Sequence, residues 1–198
     1  ALFELAPGRS TEPVAPLWEG KIEWEGEKEV VTVKSHQPSA LGHQDKRREQ
    51  EKAKPEDSRK SSNDREESVE KLLEQLWRGD KTVIGGPDEI DVIGHRIVHG
   101  GPKLTEPAVI TPEVKRAIED VATIAPLHNQ AGLQGIASCE HLFPGVTQVA
   151  VFDTGFHRTL PLPAKVYPGP YSWYQQGIHR YGFHGINHEY CATRAAQM

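Results

Sequence analysis

The sequence of 198 residues lacks the features that mark secreted, membrane-spanning or nucleic-acid-binding proteins. Its two cysteines, Cys139 and Cys191, are far apart and form neither a Cys-x-x-Cys motif nor a disulfide framework. No apolar run is long enough to cross a bilayer, so we expect no membrane contact. With 23 basic and 28 acidic residues, the net charge of -5 argues against a nucleic-acid-binding surface. These absences favour a reduced, cytoplasmic compartment.

Both ends of the sequence resemble points inside a longer protein. The first residue is alanine, and Ala1-Leu-Phe-Glu-Leu5 has neither the basic start nor the apolar length of a signal peptide. Met198 falls within a helical pattern. We therefore expect the sequence to be a piece of a longer chain.

Charged residues are concentrated in one segment, residues 37–67. It contains clusters of mixed sign, such as Lys46-Arg-Arg-Glu49, and is nearly free of apolar residues. This composition predicts a flexible, solvated insertion. A segment that docks a partner protein is the alternative for the same pattern.

The first third of the chain, outside this insertion, predicts antiparallel strands and one helix. The predicted strands cover residues 1–5, 17–24 and 30–33. Asp64 and Glu67 resemble a capping box, and Gly79 is a typical residue after a helix end. We therefore predict an antiparallel meander followed by a helix that begins near residue 64.

After residue 83, strands and helices alternate. The predicted order is a strand from residue 90, a helix from Thr111-Pro112, a helix capped by Asn129, a strand over 148–153 and a helix that begins near Asn187. Such alternation predicts an α/β sheet.

The central stretch is Ile93-Gly-His-Arg-Ile-Val-His-Gly-Gly101. It predicts a strand that runs into a basic, glycine-rich end, where backbone can approach a ligand closely. The planar fork of Arg96 is suited to a carboxylate or phosphate. The alternative is a core strand whose histidines are simply hydrogen-bonded.

Four polar residues stand at element ends in apolar surroundings, namely Arg96, His128, Asp153 and His184. No Gly-x-Ser-x-Gly motif marks a nucleophile. An arginine and two histidines suit the stabilisation of a negatively charged transition state better than covalent catalysis.

A histidine-ligated zinc site is the competing hypothesis, since His95 and His99 are four residues apart, as are His184 and His188. In a strand, the first pair would lie roughly 13 Å apart, which is too far for one ion. The second pair begins in a glycine-rich turn, and its geometry stays open. No His-Glu-x-x-His motif is present.

Four segments together resemble the acetate kinase family, in its order and spacing. They are Ile93-Gly-His-Arg-Ile-Val-His-Gly-Gly101, Ala125-Pro-Leu-His-Asn129, Val149-Ala-Val-Phe-Asp-Thr154 with Phe156-His157, and Arg180-Tyr-Gly-Phe-His-Gly185. The resemblance runs from about Leu2 to Met198. The sequence lacks the phosphate loop of the family, Asn-x-Gly-Ser-Ser-Ser-x-Lys, and most of the family's C-terminal nucleotide-binding domain.

The resemblance implies the ribonuclease-H-like, actin-like ATPase fold of the acetate and sugar kinase, Hsp70 and actin superfamily. Residues 1–155 would form an N-terminal acid-binding domain, and 156–198 the start of the second domain. It implies reversible phosphoryl transfer from ATP to acetate, giving acetyl phosphate and ADP, with Mg²⁺ and in a homodimer. Because the first, central strand of the sheet would be absent, we expect the chain alone to be inactive and poorly stable.

The resemblance also implies roles for particular residues. Arg96 would bind the acetate carboxylate, and His184 and His128 would contact the phosphoryl group in transfer. Asp153 would be the active-site aspartate, either as a proton donor and acceptor or as support for the metal and the arginine, and we favour the supporting role because the reaction hardly needs a proton transfer. Val98, Leu127 and Phe183 would line the pocket for the methyl group. No residue is assigned as a metal ligand beyond this possible support by Asp153.

Two other functions remain open beside acetate kinase. One is a kinase for propionate or another short-chain acid, since a methyl pocket separates these substrates by only about 1–3 kcal/mol per methylene. The other is a non-catalytic fragment that retains an acid-binding surface.

Overall fold

The computed structural model describes residues 1–3, 14–25, 28–35, 62–79 and 82–198. The chain divides into two compact units, residues 1–89 and 90–198. Most of the predicted insertion, residues 37–61, lies outside the described residues, and the chain is helical from Ser62. Both sides of the predicted domain boundary near residue 155 lie in the second unit, and that boundary stays a prediction.

The first unit contains two of the three predicted antiparallel strands, and of the predicted strand over residues 1–5 only residues 1–3 are described. The strands β1 (Trp18–Glu25) and β2 (Lys28–Ser35) form a hairpin whose register pairs Trp18 with Ser35. Leu2 adds one bridge to Trp18, and its N–H donates to the Trp18 carbonyl at 2.8 Å. The Trp18 side chain is buried.

The helix of the first unit, α1 (Ser62–Glu74), differs from its predicted limits at both ends. It begins two residues before Asp64. It ends before Gly79, because its last turn tightens: Gln75 and Leu76 donate to carbonyls three residues earlier, at 3.2 and 3.0 Å. Gly79, at φ 99°, follows this turn rather than the helix itself.

The second unit is a mixed α/β layer. Its three-stranded sheet has the order β3 (Val92–Ile97), β5 (Thr147–Phe152), β4 (Ala108–Val109). β3 and β5 are parallel, with Val92 opposite Thr147, and β4 is antiparallel to β5. The α/β sheet expected after residue 83 is therefore present.

Helices connect and follow these strands. They are α2 (Pro112–Asp120), α3 (Pro126–Leu142), α4 (Leu162–Lys165), α5 (Ser172–Gln175) and α6 (Gly185–Gln197), with short 3-10 helices at Pro87–Glu89 and Phe156–Thr159. Within the described ranges, no helix combines the length and apolar content that a membrane crossing requires.

The start of α2 follows the prediction. Thr111 is the N-cap, and its Oγ1 accepts from the Val114 N–H at 3.3 Å, while Pro112 takes the first helical position. Ile118 on this helix is fully buried.

One predicted helix cap was wrong. Asn129 does not cap α3, because Pro126 begins that helix and Asn129 lies within its first turn, fully buried. The last helix, α6, begins at Gly185, near Asn187 as predicted, and its N-cap is His184 in a left-handed conformation at φ 55°.

The buried core of the second unit lies beneath the carboxyl ends of β3 and β5. Its members are Ile97, Ile118, Ile136, Ala150 and Phe152. Burial of one such isoleucine or phenylalanine stabilises the fold by about 1.5–3 kcal/mol. Ile97 and Phe152 are the last residues of their strands, so the core holds both strand ends in place.

Candidate functional site

Arg96 and Asp153 meet at the carboxyl ends of the parallel strands β3 and β5. The Asp153 N–H donates to the Ile97 carbonyl at 2.9 Å, which continues the ladder one residue past β5. Arg96 Nε donates to both carboxylate oxygens, at 3.0 and 3.2 Å, and Nη2 donates to Oδ2 at 2.7 Å. The two strand ends thus bring Arg96 and Asp153 together.

The two partners differ in exposure. The Asp153 side chain is 2% exposed, whereas that of Arg96 is 61% exposed. The hydrogen bonds to Asp153 raise the pKa of Arg96, partly opposed by burial. Within the described residues, Nη1 of Arg96 has no protein acceptor. The buried carboxylate therefore orients a guanidinium group whose outer edge remains available to an anion.

The segment after β3 is held by Asn129, which the sequence predicted only as a cap. Its Oδ1 accepts from the His99 N–H at 3.1 Å, and its Nδ2 donates to the carbonyls of His99 and Ile118 at 2.9 and 3.3 Å. The Gly100 N–H donates to Thr154 Oγ1 at 3.2 Å. These bonds connect α2, α3 and both strand ends around the Arg96–Asp153 pair.

His99 is the second buried polar residue that sequence reasoning did not select. It is fully buried, and its Nδ1 accepts from the Gly101 N–H at 2.8 Å. Burial lowers its pKa, with a smaller contribution from His179. The sequence offered His99 only as a possible zinc ligand paired with His95 or as a hydrogen-bonded histidine of a core strand.

His184 lies beside the same site through the backbone. The N–H of Gly185 donates to the Asp153 carbonyl at 2.8 Å, so α6 begins at the end of β5. A Cβ at residue 185 would overlap the Asp153 carbonyl oxygen, so this close approach requires glycine. The His184 side chain is exposed.

The remaining predicted site residues are His128, Leu127, Phe183 and Val98. In the described part of the chain, no hydrogen bond or ion pair joins the exposed His128 to Arg96 or Asp153. Leu127 and Phe183 are 85% and 43% exposed. Val98 is half-buried. Their role as a methyl pocket stays a prediction.

The histidine pairs that suggested zinc have separate partners. β3 ends at Ile97, so His99 lies beyond the strand. His95 Nε2 lies 2.6 Å from Gln148 Oε1, and the His188 ring packs edge-on against His157 at 5.7 Å. Among the residues with described placement, no group of three His, Cys, Asp or Glu side chains is arranged to hold a metal ion.

The cysteines are not arranged for covalent catalysis. Burial raises the pKa of the Cys139 thiol to about 11, which keeps it protonated near neutral pH. Cys191 is exposed on α6.

In the Arg96–Asp153 pair, an oriented cation lies beside a buried carboxylate, and this arrangement suits the binding and positioning of an anion.

The chain matches the sequence model of the acetokinase family over residues 26–198. It is 48% identical to an acetate kinase of Cyanothece sp. (strain PCC 7425 / ATCC 29141), across the whole of this chain and 45% of that protein. It is 43% identical to an acetate kinase of Nostoc punctiforme, across the whole chain and 46% of that protein. The chain thus spans about half the length of these curated relatives.

Solved structures of the same family have the same fold. The crystal structure of Porphyromonas gingivalis acetate kinase superimposes with a TM-score of 0.72 at 33% identity, over 95% of this chain and 44% of that one. A propionate kinase from Francisella tularensis gives 0.66 at 30% identity, over 93% and 43%. The predicted fold class, the actin-like ATPase fold, is therefore confirmed. The chain corresponds to less than half of either solved structure. By sequence and by structure, the chain belongs to the acetokinase family.

Proposed function

We propose that the protein carrying this chain is an acetate kinase, which transfers a phosphoryl group reversibly from ATP to acetate and gives acetyl phosphate and ADP. The observation that carries this proposal is the bidentate Arg96–Asp153 pair, with an exposed guanidinium edge, at the carboxyl ends of two parallel strands. Ligand sites of open α/β sheets lie at this edge.

Arg96 binds the carboxylate of acetate in this proposal. A guanidinium group has donors on more than one edge, so one edge can remain on Asp153 while another binds substrate. Acetate is already ionised near neutral pH and needs no strong base to become a nucleophile. Asp153 therefore acts by holding Arg96 in place rather than by taking a proton.

His184 and His128 provide donors for the phosphoryl group in transfer, and Val98, Leu127 and Phe183 surround the methyl group. The position of His184 directly after Phe183, with α6 fixed to Asp153, supports this assignment. Catalysis in a direct in-line transfer is then mostly positioning and charge neutralisation.

Mg²⁺ would enter this site with the nucleotide. Among the described residues, Asp153 is the carboxylate paired with Arg96. One carboxylate together with substrate phosphates is a usual set of Mg²⁺ ligands. Both oxygens of Asp153 already accept from Arg96, so Asp153 supports the ion rather than enclosing it. The ion, when bound, neutralises charge on the phosphates.

The test measures ADP formation from ATP, acetate and Mg²⁺ by the protein expressed with the sequence that flanks residues 1–198. Arg96→Lys keeps the charge but loses the planar fork, and we expect kcat/KM for acetate to fall at least about 100-fold. Arg116→Lys is the matched control, since Arg116 is an exposed arginine on α2 that pairs with Glu113. Equal activity of the two variants would contradict the role of Arg96.

A short-chain acid kinase is the second candidate, favoured by the similarity to the Francisella tularensis propionate kinase. One methylene in an apolar pocket is worth about 1–3 kcal/mol, or roughly 5- to 150-fold in kcat/KM. We expect acetate to be preferred within this range. A ratio that favours propionate would assign the protein to the second candidate.

Residues 1–198 alone are proposed to be inactive, because the chain spans 45% of a curated relative. We also propose a cytoplasmic homodimer for the protein that carries them. Light scattering of that protein tests the dimer, and a monomer at micromolar concentration would refute it. ADP formation by residues 1–198 alone would overturn the proposed inactivity.

A further inference from the structure

The buried ring of His99 has one satisfied nitrogen and one that is not. Nδ1 accepts from the Gly101 N–H at 2.8 Å, so the proton of the neutral ring is on Nε2. Nε2 is buried and has no hydrogen-bond partner among the described residues. A buried donor without an oxygen or nitrogen acceptor is uncommon, and its surroundings need an explanation.

Two aromatic rings surround His99. Tyr181 lies 4.5 Å away, centroid to centroid, at 63° to the ring, and Phe183 lies 5.6 Å away at 67°. Both pairs are T-shaped, an arrangement that suits the opposite charges of ring edge and ring face. Tyr181 and Phe183 flank Gly182 and lead directly into His184.

A second histidine contacts the same segment, which we call the 181–184 segment. His157 Nε2 donates to the Phe183 carbonyl at 3.0 Å. Gly182, at φ 77°, packs so closely on the His157 ring that a Cβ there would collide with it. His99 follows β3 and His157 follows β5, so each strand end supplies one ring to the segment.

We propose that His99, as the neutral Nε2–H tautomer, is a positioning residue that fixes the 181–184 segment and thereby the location of His184. The inference deepens the proposed function and rests on it only where His184 is assigned to phosphoryl transfer. His99 is itself held on both backbone groups by Asn129, so its ring is a rigid support.

The neutral state is needed because a proton on Nδ1 would face the Gly101 N–H, and two donors would then oppose each other. Among the described residues, the titratable groups with a ring contact to His99 or an effect on its charge are Tyr181 and His179, and His179 packs on Tyr181 at 4.2 Å. Neither is a carboxylate that would stabilise an imidazolium. Protonation is therefore expected to release the 181–184 segment.

Two substitutions separate the two contacts of His99. His99→Asn keeps an acceptor at the position of Nδ1 but removes the ring, whereas His99→Phe keeps a ring but removes the acceptor. We expect His99→Asn to raise amide exchange at Gly185 and His188 at least about tenfold and to lower kcat about 10- to 100-fold, with a smaller change in KM. His99→Phe, which keeps the ring but leaves the Gly101 N–H without its acceptor, should retain more protection there than His99→Asn. His141→Asn, an exposed histidine at the end of α3, is the control and should change neither.

The wild-type protein supplies a readout that needs no variant. Two-bond ¹H–¹⁵N correlation spectra should show His99 as the Nε2–H tautomer at neutral pH. An Nδ1–H tautomer or an imidazolium there would overturn the proposal, as would unchanged exchange and kcat in His99→Asn. If the wild type transfers no phosphoryl group, the proposed function fails, while the tautomer and exchange still decide the positioning role.

Discussion

The N–H of Gly185 donates to the carbonyl oxygen of Asp153 at 2.8 Å, and this bond joins the start of α6 to the end of β5. The Asp153 N–H binds the Ile97 carbonyl, and its carboxylate binds Arg96. One residue therefore connects β3, β5 and α6. Substitutions around Asp153 should act on the sheet edge and on the helix start together.

Loss of Arg96 should cost more stability than loss of the Asp153 charge. Arg96→Ala leaves a 2% exposed carboxylate without its cation, and a buried polar group without a partner costs about 1–3 kcal/mol or more. Asp153→Asn removes the buried charge and leaves an arginine that is already 61% exposed to water. Urea unfolding of both variants and the double variant measures the costs and their coupling. A larger loss for Asp153→Asn would contradict this order.

Asn129→Ala should destabilise the fold by at least about 2 kcal/mol, because it leaves buried backbone groups of His99 and Ile118 without partners. Asn129→Asp should also destabilise, since a carboxylate cannot donate to the two carbonyls. Gln130→Ala is the control, with an exposed amide one residue later on α3. The midpoint of urea unfolding measures each change. A midpoint for Asn129→Ala equal to that of the control would refute the role of Asn129.

Two glycine-to-alanine substitutions should have opposite effects. Gly135 lies inside α3 with no atom within 4 Å of an added Cβ, so Gly135→Ala should stabilise by about 0.5–1 kcal/mol. Gly185→Ala should destabilise, because the added Cβ meets the Asp153 carbonyl oxygen and lies 2.9 Å from the Phe156 Cβ. Thermal unfolding at one pH compares them. Equal shifts of Tm would show that the start of α6 is not tightly packed on Asp153.

Stability should decrease as the pH falls below about 6.5. Burial lowers the pKa of His99 and, against the opposing bond to Gln148, that of His95, from the ordinary value of 6.5. In that range the unfolded chain binds protons that the folded chain does not, so the free energy of unfolding decreases toward acid. Urea unfolding from about pH 8 to pH 5 measures the slope. His99→Asn should make it shallower, and a slope unchanged by this substitution would disprove the assignment.

Local signals in the sequence predicted helix and strand starts where a few neighbouring residues decide them. Thr111 and Pro112 alone determine where α2 begins, and this start was predicted correctly. Asn129 was misassigned because Ala125-Pro126 also starts a helix, and only the distant carbonyls of His99 and Ile118 show what the asparagine binds. The α6 cap was missed because a left-handed His184 has no sequence signal.

The residues of the candidate site also differ in how far the sequence predicts them. Arg96 and Asp153 were predicted because each stands at the end of an apolar strand, and parallel strands bring such ends together. His99 was not selected because its burial depends on Tyr181 and Phe183, far along the chain. The strand β4 was missed because two residues are too few to show the alternation of apolar and polar residues that predicts a strand.

The separation of Arg96 and Asp153 by 57 residues has a consequence for biosynthesis. At about 5–20 residues per second, a ribosome adds Asp153 roughly 3–11 s after Arg96. Helices form within microseconds, so the rate of helix formation in α2 and α3 does not limit folding before β5 is synthesised. When the aspartate is finally buried, its arginine is already present at the neighbouring strand. The acidic side chain is thus never enclosed in the nascent domain before its cation has been made.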